Sequence, residues 1–354
     1  MLQILRLESI ILPKSCNRKE TLSMHRTGRL LFFVIICCLF ISPLIASAQE
    51  EFVEWARAPL GKLPPIAAYN FTFYDKKDVK DRNASLEMYL HEAGGLAPVM
   101  NREDQDLGIA VSFSDRYSKT GAVMPRDSAK LPENLYKFKT GPFFRKQLDN
   151  GWTTGAALLV GSSSDKLFYS RDEITLRGDA YVKIPAKGED SWILYVDYNN
   201  NRYYLRGYPV PGAGYWYKPS EKLEAIIGLP VAYLEIKPFA GADIKLSYIA
   251  TSYIYAKASY QLTPSLKAYG MFNWDNETYA RADRTTGDYR LFYYEKKLAT
   301  GLHWQFMKYA GLKIAGGYAF DRFFYEEKKY DKRKENKIDI KDGPFVEAHI
   351  GVPF

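Results

Sequence analysis

Between residues 242 and 274 the chain repeats one two-sided pattern three times. Ala242, Ile244, Leu246 and Tyr248 alternate with Asp243, Lys245 and Ser247. Ile254, Ala256, Ala258, Tyr260 and Leu262 alternate with Tyr255, Lys257, Ser259 and Gln261, and Leu266, Ala268, Gly270, Phe272 and Trp274 with Lys267, Tyr269, Met271 and Asn273. Successive side chains of a strand point to opposite faces, so each segment is a strand with one apolar and one polar side. The pattern recurs at 174–184, 192–198 and 312–321. No stretch places apolar residues at the three-to-four spacing of a surface helix. An aromatic content of 15%, with 28 Tyr and 20 Phe, also suits strands.

Such segments fit a soluble all-β domain or a membrane barrel whose strands face lipid on one side and a lumen on the other. The polar side decides for the barrel. It carries Lys, Arg, Asp and Gln at mid-strand, and in a sandwich core each charge would cost several kcal/mol unless paired. A hydrated or hydrogen-bonded lumen removes that cost. Connections also alternate in size. Short ones at 148–151, 185–190, 218–221, 238–241, 262–265 and 307–311 take turns with longer polar stretches such as 163–173, 200–209, 276–288 and 323–341. Short periplasmic turns and long outer loops are the asymmetry of an outer-membrane barrel. Trp152, Trp192, Trp216 and Trp304 sit beside short turns, where an interfacial aromatic girdle belongs. No apolar run near 18 residues follows residue 48, which excludes helical spans.

Residues 24–48 show the zones of a secretory signal: Arg26 and Arg29, an apolar stretch at 30–45, then Ala46-Ser47-Ala48. The stretch contains Pro43 and is shorter than the roughly 20 residues of a spanning helix. Met24 directly precedes the pattern, so residues 1–23 are read as an over-extended start. Cys16, Cys37 and Cys38 all precede the expected cut, so the exported chain has no thiol chemistry, no Cys-type zinc site and no disulfide. The net charge is +8, half of it within the first 48 residues, which is too small an excess to argue for nucleic acid.

At the other end Val346, Ala348, Ile350, Val352 and Phe354 form one apolar face that finishes on a terminal aromatic. This closing strand, the leader and the alternating segments resemble Gram-negative outer-membrane β-barrel proteins of an uncharacterised, porin-like family, over most of the chain. Pro353 departs from the aromatic or polar residue usual before the last. The resemblance implies a transmembrane antiparallel up-and-down β-barrel over 66–354, behind a cleaved signal peptide and a periplasmic segment at 49–65. It implies an outer-membrane location reached through the periplasm, lipid and lipopolysaccharide as surroundings, and Phe354 as part of the signal read by the barrel-insertion machinery.

Strands are expected near 66–74, 84–91, 107–115, 135–147, 152–162, 174–184, 191–199, 211–218, 223–228, 231–237, 243–249, 253–261, 266–275, 289–306, 312–322 and 343–354. That is sixteen, an even number as single-chain bacterial barrels require. The count falls to fourteen or twelve if the short pair at 223–237 and the first two are not wall strands.

Inward-facing candidates are Arg177, Asp179, Lys245, Lys257, Lys267, His303, Glu347 and His349. Lys245, Lys257 and Lys267 on neighbouring strands make a basic stripe that could favour anions. The preference is expected to be weak, because Asp179, Asp197, Asp243, Asp321 and Glu347 nearly balance the bases. His91, His303 and His349 lie on segments that are not neighbours, so neither a Ser-His-Asp set nor a metal site converges. No catalytic, cofactor or metal residue is expected, and the chain is read as a non-enzyme. The expected function is a channel or porin-like protein for small polar solutes. The alternatives are a non-conducting structural or cell-wall-interacting barrel and, behind both, an outer-membrane lipid hydrolase. The densely charged stretch 326–342 reads as a solvated loop tip.

Overall fold

The computed structural model describes residues 56–63, 65–80, 82–202, 204–250, 253–308, 310–329 and 336–353. The expected signal at 24–48, the start at 1–23, residues 49–55 and Phe354 lie outside the described residues. The strands are β1 (Ile66–Asp78), β2 (Ser85–Arg102), β3 (Gln105–Thr120), β4 (Asn134–Gln147), β5 (Thr153–Ser164), β6 (Ile174–Pro185), β7 (Ser191–Asn199), β8 (Pro209–Ser220) and β9 (Leu223–Leu229). They continue as β10 (Val231–Ile236), β11 (Ala242–Ile249), β12 (Tyr253–Thr263), β13 (Leu266–Tyr279), β14 (Arg290–Gln305), β15 (Gly311–Glu327), β16 (Lys337–Ile340) and β17 (Gly343–Pro353). Sixteen of them form the wall. Each pairs antiparallel with its chain neighbour, β15 passes directly to β17, and β17 closes on β1 from Ile66↔Pro353 to Tyr74↔Phe345. Closure satisfies every ladder and leaves no edge. The fold is a closed all-β barrel of the membrane type.

All sixteen expected strands are present, and the counts of fourteen and twelve fall away. The short β16, which pairs with the far end of β15 and bridges to Val79 just beyond β1, falls within the stretch 323–341 that the sequence presents as a loop. The six short connections all lie at one end of the barrel, joined there by the turn between β2 and β3. The other end carries the long loops but is not uniformly long, since Pro230 alone joins β9 to β10.

The apolar sides face outward. Leu158, Trp192, Leu298 and Ile314 are each 50–58% exposed on the wall's outer face, from the short-turn rim at Trp192 to mid-strand at Leu158 and Leu298, as a lipid-facing band requires. Trp152, Trp192 and Trp304 belong to that surface, but Trp216 does not: it is buried, opposed to Ser191 and Ile226, with the Lys183 ammonium 3.6 Å over its ring. Nearness to a turn fixed its height on the strand, whereas its parity turned it inward. Asp321 is a second correction. A β-bulge sets three steps of β15 (Phe320 to Phe323) against two of β14 (Lys296 to Tyr294), with Asp321 at φ 52° in the left-handed region. Asp321 therefore faces outward, 2.7 Å from Lys296 Nζ, and Arg322, Phe324 and Glu326 beyond it turn in.

Wall height is uneven. A membrane strand needs about 9–11 residues. β9, β10 and β11 have 7, 6 and 8, whereas β2, β3, β14 and β15 have 18, 16, 16 and 17. The surplus of β13–β15 folds across the long-loop mouth as a flap. Its inner face, with Tyr279, Leu291, Tyr293 and Phe324, packs on Tyr74, Leu86, Met88, Leu90 and Leu135 of β1, β2 and β4. Its other face, with Phe292, Tyr294, Phe323 and Tyr325, packs on Ile249 and Tyr253 at the top of the low wall. The tip reaches β5, where the Ala280 amide donates to the Ser163 carbonyl (2.7 Å) and the Ser163 hydroxyl donates to that of Thr278 (2.7 Å). The lumen is thus apolar at its mouth, unlike the evenly polar interior that the alternation suggested.

Candidate functional site: a polar chamber inside the barrel

The short-turn end is also filled. The backbone of residues 56–63 runs inside the wall, held by inward-facing polar groups. Arg57 pairs with Glu224 (2.9 Å) and Glu235 (2.8 Å) and lies 4.0 Å over the Tyr233 ring. Arg145 donates to the Ala58 and Pro59 carbonyls and pairs with Asp106, which also accepts from the Gly61 amide (3.0 Å). Ala56 joins an inner apolar cluster with Tyr181, Ile193, Tyr195, Trp216, Ile226, Val231 and Tyr233.

Between this segment and the flap lies a chamber of about 670 Å³, lined on β2–β4 by Glu92, Ser112, Lys137 and Lys139, and on β12–β17 by Lys257, Tyr269, Asp275, Lys297, Lys313, Glu347 and His349. Space exists because many inward positions of β14 and β15 are small: Ala299, Gly301, Ala315, Gly317 and Ala319. At Gly301 even a Cβ would stand 2.8 Å from the Tyr269 ring.

The two ends of the chamber differ: its acids toward the flap are paired with bases, whereas a basic row crosses the wall toward the short turns. Toward the flap, Glu277 is held by Arg116 (2.8 Å) and Lys137 (3.2 Å). Glu295 accepts from the Tyr74 and Tyr293 hydroxyls (2.8 Å each) and lies 3.6 Å from Lys297. Toward the short turns the register sets Lys267 opposite His303, His303 opposite Lys313, and Lys313 opposite His349, so that four bases cross four adjacent strands in one row. Lys257 stands beside it, 4.4 Å over the Tyr269 ring.

Of the sequence-predicted residues, Lys257, Glu347 and His349 line the chamber, and Lys267 and His303 continue its basic row. Lys245 opposes Lys257, as expected, but lies 3.4 Å from Glu235. Lys267 opposes Gln261, so the three lysines of the expected stripe are not one row. Arg177 and Asp179 are inward but sit on another side of the barrel, paired at 2.9 Å beside Asp197 and Arg202, which are 2.7 Å apart. His91 faces outward and shares a 2.7 Å hydrogen bond with the Tyr69 hydroxyl. Sequence reasoning did not single out Lys313, Lys137, Lys139, Lys297 or Arg116. Lys313 was visible as the polar partner of Leu312 and Ile314, but its neighbours required the register.

The outer loops fasten the flap. Arg284 pairs with Glu173 (2.5 Å), and Arg281 pairs with Glu326 (3.0 Å) and Asp127. Burial pushes the Glu173 carboxyl up, but hydrogen bonds from Ser170 and Arg284 and the charge of Arg284 outweigh it and hold it below its ordinary range. Asp127 is depressed in the same way: burial opposes ionisation, and Arg281 with backbone amides prevails.

No protein-family model matches the chain, and no curated protein matches it. Among solved structures it is similar to an outer-membrane channel from Pseudomonas putida F1, with 10% identity, a TM-score of 0.36 and coverage of 82% of this chain and 96% of that one. A deletion mutant of the TodX monoaromatic hydrocarbon channel gives 9%, 0.38, 84% and 92%. The translocator domain of the autotransporter NalP from Neisseria meningitidis gives 8%, 0.32, 86% and 95%. At these TM-scores the likenesses decide neither family nor cargo.

Proposed function

We propose that this protein is an outer-membrane channel for small polar solutes, with the flap and the segment 56–63 as its closures. The carrying observation is the polar chamber of about 670 Å³ enclosed by a lipid-facing wall. Charged groups are costly to bury unless paired or hydrated, and Lys257 and Lys313 on the chamber wall have no carboxylate within 4.0 Å among the described residues. Recording from the purified barrel in planar bilayers tests this. Discrete conductance steps that become more frequent when the flap is loosened support it. Silence in the wild type and in every loosened variant refutes it. A second reading, a non-conducting structural barrel, is favoured by the apolar packing on both flap faces, and that silence would establish it in the channel's place.

A further inference from the structure

We infer that the floor of the chamber is a binding site for a small oxyanion, of the phosphate or carboxylate class, held by Lys257, Lys313, His303 and His349. Resting on the channel reading, this names the class of solute and the residues that select it.

Register and pairing carry the argument. His303 and His349 flank Lys313 directly across β14, β15 and β17, and inward side chains so opposed stand about 5 Å apart at their Cβ atoms. Lys257 reaches the same space over Tyr269, where Lys313, Lys245 and Lys267 act on its charge against the opposing carboxylate of Asp243. Lys245 and Lys257 stand directly opposite, and like charges so placed destabilise a sheet unless neutralised; the imidazoles of the row add hydrogen-bonding nitrogens to it rather than fixed charge. Most arginines of the inner side are neutralised by a carboxylate: Arg57, Arg116, Arg145, Arg177, Arg202, Arg281 and Arg284 each lie within 4.0 Å of one, whereas the buried Arg290 and Arg322 rest on backbone carbonyls. Lys257, Lys313, His303 and His349 have no such partner among the described residues; Glu347, on the next inward position of β17, acts on Lys313 from beyond that distance. The inward positions of β14 and β15 beside the row are small, Gly301, Ala315 and Gly311, with Glu347 opposite Ala315 on β17, and at Gly311 the His303 ring edge comes within 2.7 Å of a would-be Cβ. Small residues between unpaired bases leave a socket with donors on several sides, which suits the three or four acceptor oxygens of an oxyanion.

The test uses the full barrel in detergent micelles with inorganic phosphate as the probe. Saturable binding by calorimetry is expected, weakened about tenfold or more by either Lys313→Gln or Lys257→Gln, each lost charge-assisted bond being worth about that factor. Lys222→Gln, on an exposed turn, leaves it unchanged. Each variant is first shown to be folded by its heat-dependent gel shift. Binding that is absent, or unchanged in both lysine variants, overturns the site whether or not the barrel conducts. Retained binding with no conductance leaves the site standing and removes the channel. In conducting barrels the reversal potential under a salt gradient shifts toward cations in Lys313→Gln; an unchanged potential overturns the anion assignment.

Discussion

Replacing Arg116 by Met should unfasten the flap. Arg116 stands on β3, 1% exposed, and its Nη2 lies 2.8 Å from Glu277 on β13. Its guanidinium also covers the Tyr293 ring of β14 at 4.0 Å, so one side chain ties the wall to two strands of the flap. Removing one member of a buried pair costs about 3–5 kcal/mol because the other charge stays buried. Lys137, 3.2 Å from Glu277, supplies part of the missing countercharge. The lower end applies: about 3 kcal/mol, or about a 100-fold fall in the closed-to-open ratio at about 1.4 kcal/mol per factor of ten. The assay is the open fraction in single-barrel recordings, with folding checked by gel shift. Glu277→Gln and the double variant complete a cycle in which the two changes are strongly non-additive. Arg116→Lys, which keeps the charge but loses the planar fork and its stacking, falls between wild type and Met. An open fraction within threefold of wild type in folded Arg116→Met would show that the flap is not held by this tie.

Three more outcomes follow from the same geometry. Glu173 and Asp127 are depressed in the fastened state, so their contribution is complete above the ordinary carboxylate range and is lost as pH falls through their lowered values. The open fraction should be flat from about pH 8 to 5 and rise below about pH 4, and a rise already near neutrality would contradict this. Leu298→Arg, on the lipid face and 58% exposed, should lower stability by about 2–4 kcal/mol in urea titrations from lipid vesicles, whereas a near-zero change would invert the assignment of faces. Gly161→Ala should impair folding by about 1–3 kcal/mol or more, read as lost gel shift, because the added Cβ would meet the Phe138 carbonyl at 1.8 Å where β4 and β5 close up.

The wall was legible because its determinant is local. A period of two shows in single segments, and the lipid outside demands that it persist, so even the short β9 and β10 appeared at their observed places. The candidate site was half legible. Parity alone turns Lys257, Lys267, His303, Glu347 and His349 inward, but which of them meet depends on register across strands joined by loops whose lengths do not fix it. Parity also fails wherever the backbone leaves it. At Asp321 a single left-handed residue reverses every position beyond, and nothing in a run of alternating residues announces it. Trp216 shows the converse: its place beside a turn was read correctly, while the side it faces was set by a strand too rich in Pro and Gly to display its period.

The flap escaped the sequence for a reason that also explains why it exists. Residues 276–288 and 323–341 are polar enough to read as solvated loops, yet within them lie the last residues of β13, the end of β15 and β16. These strands outrun the bilayer, and beyond it an outward face no longer meets hydrocarbon. Phe292, Tyr294, Phe323 and Tyr325 continue the outward parity of Leu298 and Leu302 into that region, where left straight they would present a row of aromatics to water. Folding over the low wall buries them on Ile249 and Tyr253, and the opposite face gains Leu86, Met88 and Leu135. A barrel with one tall side and one short side, both apolar at the top, therefore closes its own mouth. What opposes closure is the charge it carries inward with β13 and β14, and Arg116, Lys137 and the two tyrosine hydroxyls on Glu295 meet that charge. The balance between apolar burial and these few polar ties sets how readily the chamber opens, which is why one guanidinium is expected to move it so far.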